Sequence, residues 1–157
     1  MRRLLLASTL FAVAACAGRA SSTRAGDARK NDPVPAEKPL YERLGGLPGI
    51  EGLVASFLDS VLADPLLAPR FAHLDAEGKQ HLRQMFIDQI CEATFGPCQY
   101  SGKAMAEAHA GMNITDDEWN AALAALGRAL DAHGVAAAEK DALGRTLAPL
   151  HDEIVGK

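Results

Sequence analysis

The sequence predicts an all-α domain, and three observations carry that expectation. Of its 157 residues, 48% are hydrophobic but only 5% aromatic, so the core must come mostly from Leu, Ala, Ile, Val and Met, a mixture that leans towards helix. From Leu40 onward apolar residues recur at the helical period, and no convincing strand alternation appears. The length suits one ordinary domain with a core of its own and is too small for two. A net charge of −4 with no basic stripe outside the N-terminal region argues against a nucleic-acid partner.

The N-terminal region comes first. Arg2 and Arg3 precede an apolar run from Leu4 to Ala15, about a dozen residues and well short of the ~20 that span a bilayer. Residues 1–15 therefore read as a signal peptide. The run ends "VAAC", which resembles the lipobox of bacterial lipoproteins, where the cysteine is lipidated and becomes the mature N-terminus. Ala17 after Cys16 points to the outer membrane, facing the periplasm. An ordinary cleaved signal, with Cys16 merely near the cut, is the alternative. Anchoring by several acyl chains would be stable, whereas one chain is marginal. Residues 16–39 hold Cys16 and a small, polar, proline-spotted stretch that cannot bury enough surface to order itself, so it reads as a tether. The folded domain is expected over 40–157.

Within it, "LYERLGG" is a short helix stopped at Gly45-Gly46, with Pro48 opening the next. Ile50, Val54, Phe57, Leu58, Val61 and Leu62 then share one helical face, until "ADPLLAP" breaks the helix. Phe71 stands in the connection beyond. A second long helix starts near Asp75, with Leu82, Met85, Phe86, Ile90 and Ala93 on its stripe and Gln89 beside them. Thr115 and Glu118 fit a capping box that opens a third helix, whose face is Trp119, Ala122, Leu123, Leu126, Leu130 and His133. Gly134 stops it. A last helix carries Leu143, Leu147, Leu150 and Ile154 and is kinked at Pro149. Roughly twenty residues separate the second and third long helices, more than a helical bundle normally needs and of a length often functional. His109 lies near their end, among Ala106, Ala108 and Ala110.

Three pieces in this order, "LYERLGG", "SVLADPLL" and "FGPCQYSGKAMAEAHAGMNIT", make residues 40–155 resemble the truncated haemoglobins of group I. The resemblance implies a shortened globin: two antiparallel helix pairs, a 2-on-2 helical sandwich enclosing haem b, with the proximal helix reduced to about one turn. It implies His109 as the iron ligand, the role a neutral imidazole usually takes in globins. A surface histidine at a helix end is what His109 would be without that context. Phe71 aligns with the aromatic that wedges the ring, and Met105, one turn before His109, can pack on the same haem face. Tyr100 and Lys103 are candidates for the haem edge, where a lysine gains a charge-assisted contact with a propionate; a solvated loop lysine is the alternative.

On the other side of the implied haem the chain departs from the pattern of the family it resembles. Many group I members carry a tyrosine after the phenylalanine of the first long helix; here the pair is Phe57-Leu58, and leucine donates nothing. Leu82, Met85, Phe86 and Gln89 are expected towards the pocket, with Gln89 as the one candidate donor and the edge of the stripe, facing water, as its alternative. His73 and His81 are candidates for a second axial nitrogen, against a solvent-facing role. Phe95 replaces the first of two glycines common in relatives, which puts the local turn geometry in question. Cys91 and Cys98, seven apart across a helix end, can meet as a disulfide if the chain doubles back after Gly96, or stay as free thiols; spacing does not decide.

The expected function is reversible binding of diatomic gases (O2, NO, CO) at a histidine-ligated haem iron in the bacterial cell envelope, with an unidentified reductase as a possible partner and the membrane met only through the lipid anchor. A haem enzyme of nitric oxide dioxygenase or peroxidase type is the alternative, and a haem-free helical lipoprotein serving as an interaction module is the third reading.

Overall fold

The computed structural model describes residues 37–157. The expected signal segment, Cys16 and the tether up to residue 36 lie outside the described residues. From residue 37 on, the chain forms α1 (Leu40–Arg43), α2 (Gly46–Ala63), a 3₁₀ turn (Ala68–Phe71), α3 (Ala76–Ala93), α4 (Met105–Ala108), α5 (Asp116–Ala132), α6 (Ala137–Leu147), a second 3₁₀ turn (Ala148–Leu150) and α7 (His151–Ile154).

Several boundaries arise from local chemistry. α2 begins at Gly46, two residues before the expected proline, because Gly45 takes a left-handed φ of 93° and turns the chain at once. A side chain at Gly49 would put its Cβ 2.0 Å from the Leu44 carbonyl, so α1 and α2 meet this closely only through glycine. Asp75 caps α3, accepting from the Gly78 amide at 2.8 Å. Thr115 and Glu118 form the expected capping box at α5. Pro149 does interrupt the last helix, as the 3₁₀ turn that divides α6 from α7.

α2 is the central element and packs against both α3 and α5. Ile50, Val54 and Leu143 are fully buried at its core, each stabilising the fold by roughly 1.5–3 kcal/mol. α1 docks on the end of α3 through the Tyr41 amide and the Thr94 carbonyl, 2.9 Å apart. α5 corrects the expected face. Leu130 is buried as expected and Ala122 and Leu126 pack on the core, but Ala125 (0% exposed) and Ala129 (2%) join them, whereas Leu123 is 40% exposed and His133 also reaches solvent. Alanines let α5 lie close to α2, and that closeness turns Leu123 to the outer edge.

α3 buries Ile90 of the expected stripe and adds Ile87 and Cys91 beside it, while Leu82, Met85, Phe86 and Gln89 are only half-buried. The C-terminal segment closes the fold over the loop after α4: the Gly156 amide donates to the Ile114 carbonyl at 2.9 Å, and the Asn113 amide to the Lys157 carbonyl at 2.5 Å. Nearby, His151 lies between Asp152 (3.0 Å) and Asp116 (2.9 Å), and these two carboxylates raise its pKa.

Candidate functional site

α4 is a single turn, too short to persist alone, and His109 ends it. The imidazole is half-buried, with Nδ1 2.9 Å from the Met105 carbonyl oxygen. A carbonyl only accepts, so Nδ1 carries the hydrogen and donates it. In the neutral ring Nε2 then keeps its lone pair, and among the described residues no side chain or backbone group hydrogen-bonds to it. An imidazole oriented through one nitrogen with the other left bare is what a metal-ligating histidine requires. Ala106, Ala108 and Ala110 around it are small and exposed, so a flat group can approach the backbone.

The half-buried stripe of α3 leads to this turn. Phe86 meets Phe57 edge to face with ring centroids 5.4 Å apart, a favourable aromatic geometry. Leu58 is buried in the core, and Leu82, Phe86 and Phe71 pack on that core while remaining partly exposed. Gln89 sits at the end of the stripe. Its amide donates to Met105 Sδ at 3.1 Å, which engages the expected distal donor on the helix that carries His109. Met105 is therefore held from both sides, by Gln89 through its sulfur and by His109 through its carbonyl.

Tyr100 and Lys103 form a small self-contained turn. The Tyr100 hydroxyl donates to the Lys103 carbonyl at 3.0 Å, and burial raises the phenol pKa. The Lys103 ammonium is 3.5 Å from Glu107 and largely exposed, so its partner in this structure is a neighbour on the same turn. His73 and His81 are both exposed. Cys91 and Cys98 are joined in a disulfide, with Cys91 fully buried. A Cβ at Gly96 would lie 2.5 Å from Tyr41 and 2.7 Å from Cys91 Sγ, so the chain doubles back there only because the residue is glycine.

One ion pair near the site was missed by sequence reasoning. Arg70, immediately before Phe71, donates from Nε and Nη2 to the two oxygens of Glu118 at 2.6 and 2.9 Å, and from Nη1 to the Met112 carbonyl at 2.8 Å. Glu118 also accepts from the Thr115 amide at 2.9 Å. Its carboxyl is held down to about 2, first by the Arg70 hydrogen bonds and then by the Thr115 amide. The capping box was legible in the sequence; an arginine 48 residues away leaves no local signal.

The residues present fit a haem. The donor set is one bare imidazole nitrogen, and the adjoining stripe of Leu82, Phe86, Met105 and Phe71 is apolar and only half covered by protein. Two other hollows, of about 440 and 200 Å³, include none of these residues; Phe95 and Arg43 line the first, Leu126 and Leu143 the second.

Comparison with known proteins agrees with this geometry. The family model described as bacterial-like globin matches residues 39–155. The chain is 38% identical over 107 residues to a group 1 truncated haemoglobin of Nostoc sp. (strain MUN 8820), covering 68% of this chain and 88% of that one. It is 30% identical over 118 residues to the group 1 truncated haemoglobin of Tetrahymena pyriformis, covering 75% and 95%. The crystal structure of the Tetrahymena pyriformis protein in its Fe(III) form superposes with a TM-score of 0.72 at 29% identity, over 76% of this chain and all of that chain. The 2/2 haemoglobin of Synechococcus sp. PCC 7002 shares the fold at a TM-score of 0.69 and 23% identity, over 75% and 98%.

Proposed function

Because the chain belongs to the bacterial-like globins, as a truncated haemoglobin, we propose that it holds haem b through His109 and binds diatomic gases reversibly. The observation that carries this reading is the His109 ring, with Nδ1–H on the Met105 carbonyl and Nε2 left bare. Bound haem would supply an iron able to take a small gas. The chain's own residues set how firmly each gas is held. Phe71, Met105 and Phe86 would give the ring apolar contacts, and Leu82 and Leu58 would keep water from the gas. Neither leucine donates a hydrogen bond, and the Gln89 amide is spent on Met105. A donor to a polar ligand in a dry pocket is worth about 1–3 kcal/mol, a factor of ~5 to 150 in affinity. Oxygen, the candidate gas that gains most from such a donor, would lose most by its absence. The pocket therefore favours carbon monoxide and nitric oxide over prolonged oxygen storage, and oxygen-dependent turnover of nitric oxide is less well served.

The reading includes a lipid-anchored location at the cell envelope, in bacterial terms the outer membrane facing the periplasm, and an unidentified reductase that keeps the iron reduced. The pattern of residues 1–16 supports the anchor. The Cys91–Cys98 disulfide is the chemistry of an oxidising compartment.

The test is an absorption spectrum of the reduced protein, with and without carbon monoxide, beside His109→Ala. A Soret band that shifts with carbon monoxide and is lost or altered in the variant is expected. A colourless protein that ignores added haemin overturns the reading and favours a helical interaction module. For the location, labelled palmitate should enter the wild type and not Cys16→Ser; an unlabelled wild type removes the anchor.

A further inference from the structure

The segment that carries His109 has almost no structure of its own. α4 is one turn, and the residues after it bend through two left-handed positions, Gly111 (φ 79°) and Asn113 (φ 49°). Something outside the segment must hold it. The Met112 amide donates to the His109 carbonyl at 3.0 Å, which binds the histidine's backbone to Met112. Met112's own carbonyl is then taken by Arg70 Nη1 at 2.8 Å.

Arg70 is built for this. Its other two nitrogens form a fork on both oxygens of Glu118, the strongest and most directional arrangement a guanidinium makes. Glu118 is fixed in turn by the α5 capping box, and its side chain is only 7% exposed. Arg70 also adjoins Phe71 in a 3₁₀ turn braced by the Arg70 amide on the Leu67 carbonyl at 3.0 Å. One guanidinium therefore spans three pieces of chain: the Phe71 turn, the start of α5, and the loop immediately beyond His109.

We propose that Arg70 is a positioning residue for His109, fixing the separation between the Phe71 turn and the histidine-bearing segment and so the seat of the haem between them. This role rests on the haem reading of His109. Arg70 touches neither ring nor iron in it; it acts through Met112 and Glu118. Lysine cannot replace it, because a point-like ammonium cannot serve a carboxylate fork and a carbonyl together.

The test compares the full chain with Arg70→Met, Arg70→Lys and the paired Arg70→Met/Glu118→Met. The last replaces the ion pair by apolar groups of similar length and so keeps the fold where a lone Glu118 would be left uncompensated. Two readouts are taken on haem-loaded protein: the rate of haem transfer to an excess of apomyoglobin, and the iron–histidine stretching band of the reduced protein. Haem loss about tenfold faster or more is expected in all three, as for outer-shell partners of metal ligands, with a shifted or broadened stretching band. A merely structural role would lower the melting temperature of the apo and loaded forms alike and leave the band in place. Wild-type transfer rates and an unmoved band in the folded double variant overturn the proposal. A wild type with no histidine-ligated haem overturns the haem reading instead, and the two failures are distinct.

Discussion

The Gln89 amide donates to the sulfur of Met105 at 3.1 Å and so joins α3 to the turn that ends at His109. Gln89 is thereby a bracket between two helices. Its replacement by leucine should leave the oxygen off-rate within about twofold of wild type, since no donor to the gas is lost. Leu58→Tyr should slow oxygen release by a factor of ~5 to 150, by adding the donor this pocket lacks. Stopped-flow oxygen release decides both. A Gln89→Leu off-rate that rises as steeply as the tyrosine slows it would return Gln89 to the distal side.

Acid stability should depend on Glu118. Its carboxyl is held at about 2 against an ordinary value of 4.5, chiefly by Arg70. The native state thus binds fewer protons than the unfolded chain between those values. The stabilisation is fully present above about pH 4.5 and is lost as pH falls towards 2. It amounts to roughly 3 kcal/mol. Urea unfolding from pH 6 down to pH 2.5 should show that loss in wild type and a flatter profile in Glu118→Gln. Parallel profiles would mean the pair does not set the acid limit.

Two helices end in the same Schellman arrangement with different residues at its left-handed position. At α5 it is Gly134, φ 66°, with the Val135 amide on the Leu130 carbonyl at 3.0 Å; at α3 it is Phe95, φ 67°, with the Gly96 amide on the Cys91 carbonyl at 2.7 Å. A left-handed side chain costs about 1–2 kcal/mol, and Phe95, 82% exposed, recovers little by packing. Phe95→Gly should raise stability by about 1 kcal/mol, less than the strain relieved because glycine also loosens the unfolded chain. Chemical denaturation measures it; a destabilised variant would show that the phenyl ring is held by something.

The disulfide should carry a measurable share of the stability. It closes a loop of seven residues' separation, for which chain entropy gives about 2–3 kcal/mol. Cys91→Ala/Cys98→Ala should lose about that much in denaturant, and treatment with a dithiol reductant should bring wild type to the same midpoint. Equal midpoints with and without the pair would show the bridge to be thermodynamically idle.

What the sequence made legible was local. The helix start near Asp75, the Thr115–Glu118 box and the stop at Gly134 each depend on a few adjacent residues, and each appears where expected. The His109 turn was visible through its small neighbours and its place in a long connection. Three things were not legible, for identifiable reasons. Ala125 and Ala129 join Leu130 in the α5 contact, yet the periodicity is dominated by larger residues, so the two alanines were missed and Leu123 was counted in. Gln89 was read as a donor in the pocket or a water-facing edge of its stripe; the bond to Met105 joins two separate segments, and a contact of that kind leaves no trace in a helical period. Arg70 and Met112 are 42 residues apart and meet only because the 3₁₀ turn and the loop after α4 happen to converge.

The closure of the C-terminal segment over Asn113 and Ile114 has a consequence for the order in which the molecule can mature. The histidine's segment is pinned on one side by Arg70 and on the other by Gly156 and Lys157, which are made well after it. During synthesis the ligand's surroundings stay incomplete until those two residues have left the ribosome, so haem insertion belongs after their emergence. A bulky group attached beside Lys157 would pull on the same latch.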